Sequence, residues 1–335
     1  MLKRLFKAMM LVGVMLILCG CGSGKKAEPA ADKVHDGLYV DGTMLKTAEG
    51  ESVILRGVNH AHCWYRSSDE TAFAAIADTG ANCIRIVCAC GIQWDADTEE
   101  SIAEAIERAR ALGMLAIVEV HDGTGDNSID TLVSIADFWC GMAGVLAGTE
   151  NYCILNIANE WCGSRSAGNW RDGYVKVIPM LREAGISNVI MVDAPGWGQY
   201  GKAVGKDGVD IFEADPERNT MFSVHMYGFS GGSKRAIRRN LTAATDRNLC
   251  VCVGEFGYKH SDGDVKEEYL MEYCTELEIG YLAWSWKGNS GGVEYLDLAA
   301  EWDGSVLSVD WGETAVNGEY GIRATSEPVI SAVSP

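Results

Sequence analysis

The chain has 335 residues, 47% of them hydrophobic, and a formal charge of −19. That apolar content supports a large core and excludes a disordered chain. The acidic balance argues against a phosphate-backbone partner, so no nucleic acid is expected and a neutral or polar ligand fits better.

Lys3, Arg4 and Lys7 precede an apolar run, Ala8 to Leu18, that is too short to span a bilayer comfortably. "LCGC" follows, with Leu18, a small residue, Gly20 and Cys21 in lipobox order. Residues 1–21 are therefore expected to be a lipoprotein signal peptide. Cys21 would be the acylated first residue of an exported bacterial protein, held at the cell membrane by that lipid alone. Residues 22–37 read as a polar, flexible tether, 38–326 as one domain and 327–335 as a tail. Monomer is the default expectation.

From residue 38 the pattern is regular. Apolar, strand-like runs fall near 53–58, 82–88, 114–120, 152–158, 189–193, 221–225, 250–254 and 280–284. Amphipathic stretches separate them, such as "DTEESIAEAIERARALG" and "GDVKEEYLMEYCTELEIG". The first opens with acids, carries apolar residues at helical spacing, and ends with Arg108, Arg110 and a glycine stop. Near-continuous apolar strands alternating with such helices predict a parallel sheet covered by helices. Eight units predict a closed (β/α)8 TIM barrel in the α/β class, as a single catalytic domain. An open doubly wound sheet is the alternative, but no GxGxxG turn follows the first strand.

Cys83, Cys88, Cys153, Cys250 and Cys252 sit in the apolar runs and read as small buried residues. No spacing resembles a compact disulfide scaffold or paired zinc ligands, so neither a structural metal nor a cofactor is expected. Cys63, Cys90 and Cys162 fall at strand ends or just beyond.

In such barrels the active site lies at the C-terminal ends of the strands. Strand one supplies Asn59, His60, His62 and Trp64 there, strand two carries Arg85, and strand three ends in His121 and Asp122. Strand four gives Asn159, Glu160 and Trp161, and strand five Asp193 and Trp197. Strands six, seven and eight give His225 and Tyr227, then Glu255, then Trp284 and Trp286. A lone strand-end histidine or tryptophan is more often structural, and Asp122 has the place of a helix cap. Two glutamates, each ending a strongly apolar strand over one cavity, are harder to explain as structure. They suit glycoside hydrolysis, where one carboxyl protonates the leaving oxygen and the other attacks carbon or activates water. Arg85, buried in a strand, needs an anionic partner. With Tyr227 it would hold Glu255 ionised, leaving Glu160 for proton donation. The tryptophans suit stacking on sugar rings.

"RGVNHAH", "GANCIRIV", "VEVHDGTG", "NIANEW", "VDAPGWGQY", "SVHMYG", "GEFG" and "IGYLAWSWKGN" together resemble glycoside hydrolase family 5. Within it they are most similar to the bacterial endo-β-1,4-mannanases of subfamily 8. The resemblance runs from about Gly37 to Ser326 and includes "YLDLA" and "VNGEYGIRATS". It implies a retaining enzyme acting inside β-mannan, glucomannan or galactomannan chains, with Glu160 as acid/base and Glu255 as nucleophile. It also implies that Asn159 binds the sugar 2-hydroxyl and that Arg85 and Tyr227 position the nucleophile. His121 and His225 would line the subsite beside the scissile bond, and Trp284 would stack under that sugar. His60, Trp64, Trp161 and Trp197 are further candidates for the substrate site. Cys63, Cys90 and Cys162 depart from the family pattern near the cleft.

Three other readings remain. A family 5 cellulase or xylanase would use the same pair. A metal-dependent amidohydrolase would use "HAH" as ligands, but here strand five has no His and strand eight no Asp. A non-catalytic glycan-binding lipoprotein would need no carboxylate pair.

Overall fold

The structure, a computed structural model, describes residues 35–332. The signal peptide, Cys21, most of the tether and the last three residues lie outside the described residues. Eight strands form a closed parallel barrel. They are β1 (Arg56–His60), β2 (Cys83–Cys88), β3 (Leu115–Val120), β4 (Cys153–Asn156), β5 (Val189–Asp193), β6 (Thr220–Met226), β7 (Val251–Phe256) and β8 (Gly280–Ala283). They pair in chain order, and β8 closes onto β1 through Ala283 opposite Val58. The α/β barrel architecture is as the apolar rhythm predicts.

A helix follows each strand. They are α1 (Asp69–Asp78), α2 (Glu99–Ala111), α3 (Ile129–Gly141), α4 (Ala167–Glu183), α5 (Lys202–Ala214), α6 (Lys234–Thr245), α7 (Glu267–Glu276) and the short α8 (Gly312–Asn317). Helix α2 shows why these segments are helical. The Thr98 side chain accepts the Ser101 N–H as N-cap, and Glu99 and Glu100 sit at the positive end of the helix dipole. Ile102, Ala105, Ile106 and Ala109 are buried at helical spacing, and Gly113, with φ 80°, ends the element. Among the described residues, no helix is long and apolar enough to cross a membrane.

The first strand departs from expectation. Ser52–Val53 is the last strand of a small antiparallel sheet with Tyr39–Asp41 and Met44–Lys46, and the barrel strand starts at Arg56. Leu45 and Val53 from this sheet pack with Leu38 and Leu55 against Cys83, Leu115, Ile154, Val189 and Met221. Those residues open their strands, so the sheet plugs the N-terminal end of the barrel. The larger apolar cluster fills the layer between strands and helices. Above the plug the barrel interior turns polar. Asn59 pairs with Arg85 in register, Glu119 with Asn156, and His225 with Glu255.

All ten described cysteines are free thiols. Cys83, Cys88, Cys153, Cys250 and Cys252 are buried, and burial raises each thiol above its ordinary range.

Candidate active site

The C-terminal ends of the strands and their loops surround an open cleft of about 760 Å3. Trp64, Trp94, His121, Trp197, Tyr227 and Trp284 line it, and Glu160, Glu255 and Asn159 face into it.

Glu255 is placed by a break in strand pairing. The register of β7 with both neighbours shifts around Gly254, a bulge that re-aims the next side chain. Only glycine fits there, because a Cβ would lie 2.2 Å from Ser223 Oγ. Glu255 then stands opposite His225, with Oε1 2.8 Å from Arg85 Nη1 and Oε2 accepting the Tyr227 hydroxyl at 2.9 Å.

Glu160 follows β4 in a left-handed backbone conformation, φ 46°, which is costly for a side chain of this size. Two bonds hold it there. Its N–H donates to Asp193 Oδ2 at 2.9 Å, and its carbonyl accepts the Gly125 N–H at 3.2 Å. His225 Nδ1 meets Glu160 Oε1 at 2.7 Å and lies 3.4 Å from Glu255 Oε2. One carboxylate oxygen of each glutamate and a ring nitrogen of His225 fall within 4.8 Å of one another. That trio is close enough to ligate a metal ion, although these groups already bond each other, Arg85 and Tyr227.

Arg85 is the hub beneath. Its guanidinium donates to Asn156 Oδ1 (2.9 Å), Asn59 Oδ1 (2.9 Å), Asn159 Oδ1 (2.8 Å) and Glu255. It also lies 3.5 Å from Asp193 and 3.7 Å from Glu119. Asn159, pinned through its oxygen, gives its amide to Thr124 Oγ1 at 2.9 Å. His121 Nδ1 meets Glu119 Oε1 at 2.9 Å, and its ring stacks near Trp284 at 5.6 Å and 23°.

Burial sets the charge states against one another. It would lower the His225 imidazole, but Glu255, Asp193 and the bond to Glu160 lift it well above the usual histidine value. His121 is raised likewise, burial being outweighed by Glu119. Burial would raise Asp193, yet His225, Arg85 and the Glu160 N–H hold it well below the aspartate range. Burial raises Glu255, opposed by His225 and Arg85.

Four residues named from the sequence sit elsewhere than expected. His60 is fully buried outside the barrel, because strand alternation turns Asn59 inward and His60 outward, where Nε2 meets Asp69 at 2.8 Å. His62 Nδ1 takes the other Asp69 oxygen at 2.6 Å, so "HAH" grips an aspartate rather than the cleft. Trp161 is fully buried too. The left-handed turn at Glu160 sends its ring to α4, where it leaves space only for Gly173, and Nε1 donates to Ser128 O at 3.0 Å. His225 does not line the cleft but lies buried behind Glu160. Cys63, Cys90 and Cys162 do not line it either. Asp193, a strand-end candidate in the sequence, takes its place beside Arg85, His225 and the Glu160 N–H, whereas Trp94, Glu119 and Asn156 are part of the arrangement without having been picked from the sequence as site residues. Glu119 and Asn156 left a signal, each a polar residue inside an otherwise apolar run. Trp94 stands in a polar loop that carries no periodicity.

Residues 47–290 match the family described as Cellulase (glycosyl hydrolase family 5). The chain belongs to glycosyl hydrolase family 5. It is a glycoside hydrolase, similar to a mannan endo-1,4-β-mannosidase of Salipaludibacillus agaradhaerens at 48% identity, over 87% of this chain and 94% of that one. A mannan endo-1,4-β-mannosidase of Streptomyces lividans is 37% identical, over 95% of this chain and 82% of its own. Among solved structures, the β-mannanase from Thermomonospora fusca superposes with a TM-score of 0.82 at 36% identity, covering 88% of this chain and 98% of its own. A mannohexaose complex of that enzyme superposes at 0.81 with 35% identity and the same coverage.

Proposed function

We propose that this family 5 hydrolase is an endo-acting, retaining β-1,4-mannanase that cuts mannan, glucomannan or galactomannan internally. The observation that carries the mechanism is that one carboxylate oxygen of Glu160 and one of Glu255 lie within 4.8 Å of each other. Retaining glycosidases hold their carboxyls ~5–5.5 Å apart, whereas inverting ones need ~6.5–9.5 Å to admit a water. The mannan reading and the internal cut are both supported by the relatives, named mannan endo-1,4-β-mannosidase.

Glu255 attacks the anomeric carbon while Glu160 gives its proton to the departing oxygen. A glycosyl ester on Glu255 results, and one half of the chain leaves. Water then enters, Glu160 takes its proton, and the oxygen displaces Glu255 with net retention. Arg85 and Tyr227 occupy both nucleophile oxygens, which fixes their direction of attack. Arg85 lies within 3.7 Å of Glu119, Asp193 and Glu255, which leaves Glu160 as the carboxyl to carry the transferable proton. His225 then donates to Glu160 and holds it in line. Asn159 bonds the sugar 2-hydroxyl, and His121 and Trp284 floor that subsite. Trp64 and Trp197 extend the stacking surface.

Reducing-sugar release from galactomannan and glucomannan, against xylan and a soluble cellulose derivative, tests the assignment. Release from the last two alone overturns it. We further propose export as a monomer anchored through a lipid on Cys21. Cys21→Ala should move the enzyme from the membrane fraction to the medium; an unchanged distribution refutes the anchor.

A further inference from the structure

The "HAH" histidines belong to a second buried chain of charges outside the catalytic cluster. His60 and His62 share Asp69, and His62 continues through Nε2 to Ser101 Oγ at 2.9 Å and Asp97 Oδ1 at 3.3 Å. The Arg66 guanidinium meets Asp97 at 2.6 Å.

This chain joins two loops. His62 stands in the short helix His62–Tyr65 that carries Trp64. Asp97 closes the base of the loop that carries Trp94, accepting the Ala89 N–H at 2.9 Å while its own N–H donates to Ala89 O at 2.9 Å. Asp122 holds the rest of that loop through the N–H groups of Cys90, Gln93 and Trp94. The Trp64 and Trp94 rings meet edge to face at 5.1 Å and 78°, and together form one wall of the cleft.

We infer that His62 is a positioning residue whose bonds to Asp69 and to the Asp97–Ser101 pair set the Trp64–Trp94 wall, and with it the grip on a glycan lying there. This rests on the glycan reading of the cleft. His62 touches no reacting group, so it acts on substrate binding and not on the chemical step.

The charge on His62 makes the link titratable. The groups facing it are Asp69 on α1, Asp97 before α2, Ser101 on α2, His60 on β1 and Arg66 beyond its own helix. Burial would lower the imidazole, but the two aspartates raise it to about 9. A raised value means the ion pairs are complete below the ordinary histidine value and are lost as pH rises through about 9. Neutral His62 has one N–H and can donate to only one of its two sides.

The test is KM and kcat on galactomannan between about pH 6 and pH 10. For the unaltered enzyme, KM should rise about tenfold as pH passes 9, the worth of one charge-assisted bond, while kcat does not follow that step. His62→Gln should start at the raised KM and stay flat, and Trp94→Ala should erase the difference between His and Gln at position 62. A flat KM in the unaltered enzyme overturns the inference even if the variant fails to fold. So does a His62→Gln enzyme that loses kcat at constant KM. Hydrolysis with flat KM refutes this inference alone, whereas absence of hydrolysis refutes the glycan reading along with it.

Discussion

Two histidine–carboxylate clusters contrast, one inside the barrel and one outside it. The inner cluster joins Arg85, Asp193, His225, Glu160 and Glu255 and opens onto the cleft through the glutamates. The outer one joins His60, Asp69, His62, Asp97 and Arg66 and is covered by α1 and α2. In each, carboxylate partners keep one buried imidazole charged, His225 inside and His62 outside, whereas burial lowers the His60 imidazole and Arg66 is exposed. The difference is that the inner cluster holds more acids than bases and meets substrate, so it has a proton to exchange. The outer cluster meets no reacting group and acts by bracing the Trp64–Trp94 wall.

Substitutions should separate the two. The largest effect is expected at the inner glutamates, where Glu255→Gln and Glu160→Gln should each lower kcat on mannan by about 10²–10⁴ or more while the protein stays folded. Full activity in either would remove the distinction between the clusters. Next comes Arg85→Met, which leaves Glu255 and Asp193 buried without their cation. It should cost about 3–5 kcal/mol of stability in denaturant unfolding, besides most of the activity. Gly254→Ala should cost about 1–3 kcal/mol and also lower kcat, because a Cβ against Ser223 shifts Glu255. The smallest effect is expected from Asp69→Asn in the outer cluster, about 1–3 kcal/mol with kcat unchanged. Its pH dependence has a sign. The His60 and His62 bonds hold the Asp69 carboxyl below its ordinary value against burial. Its contribution is therefore full above that value, 3.8, and fades as pH falls through the depressed one. The acid limb of the unfolding profile should shrink in Asp69→Asn.

The barrel was legible because eight apolar runs with helical interludes admit few folds, and Glu160 and Glu255 stood out as charges closing such runs. What stayed hidden has a common cause. In β1 all five residues are buried, so the run gives no clue that Asn59 faces in and His60 out. Alternation is readable only where one face meets water. The left-handed turn at Glu160 is equally silent in the sequence, and it is what sends Trp161 away from the cleft. The strand-one boundary slipped because Ser52–Val53 is as apolar in context as the strand beyond it, yet serves the barrel plug.

The central claim is retention by a glutamate pair with Glu255 as nucleophile. Proton NMR of a manno-oligosaccharide during its first minutes of hydrolysis tests it most directly. The β-anomer of the new reducing end should appear first and only later equilibrate with α; initial release of the α-anomer would contradict the mechanism.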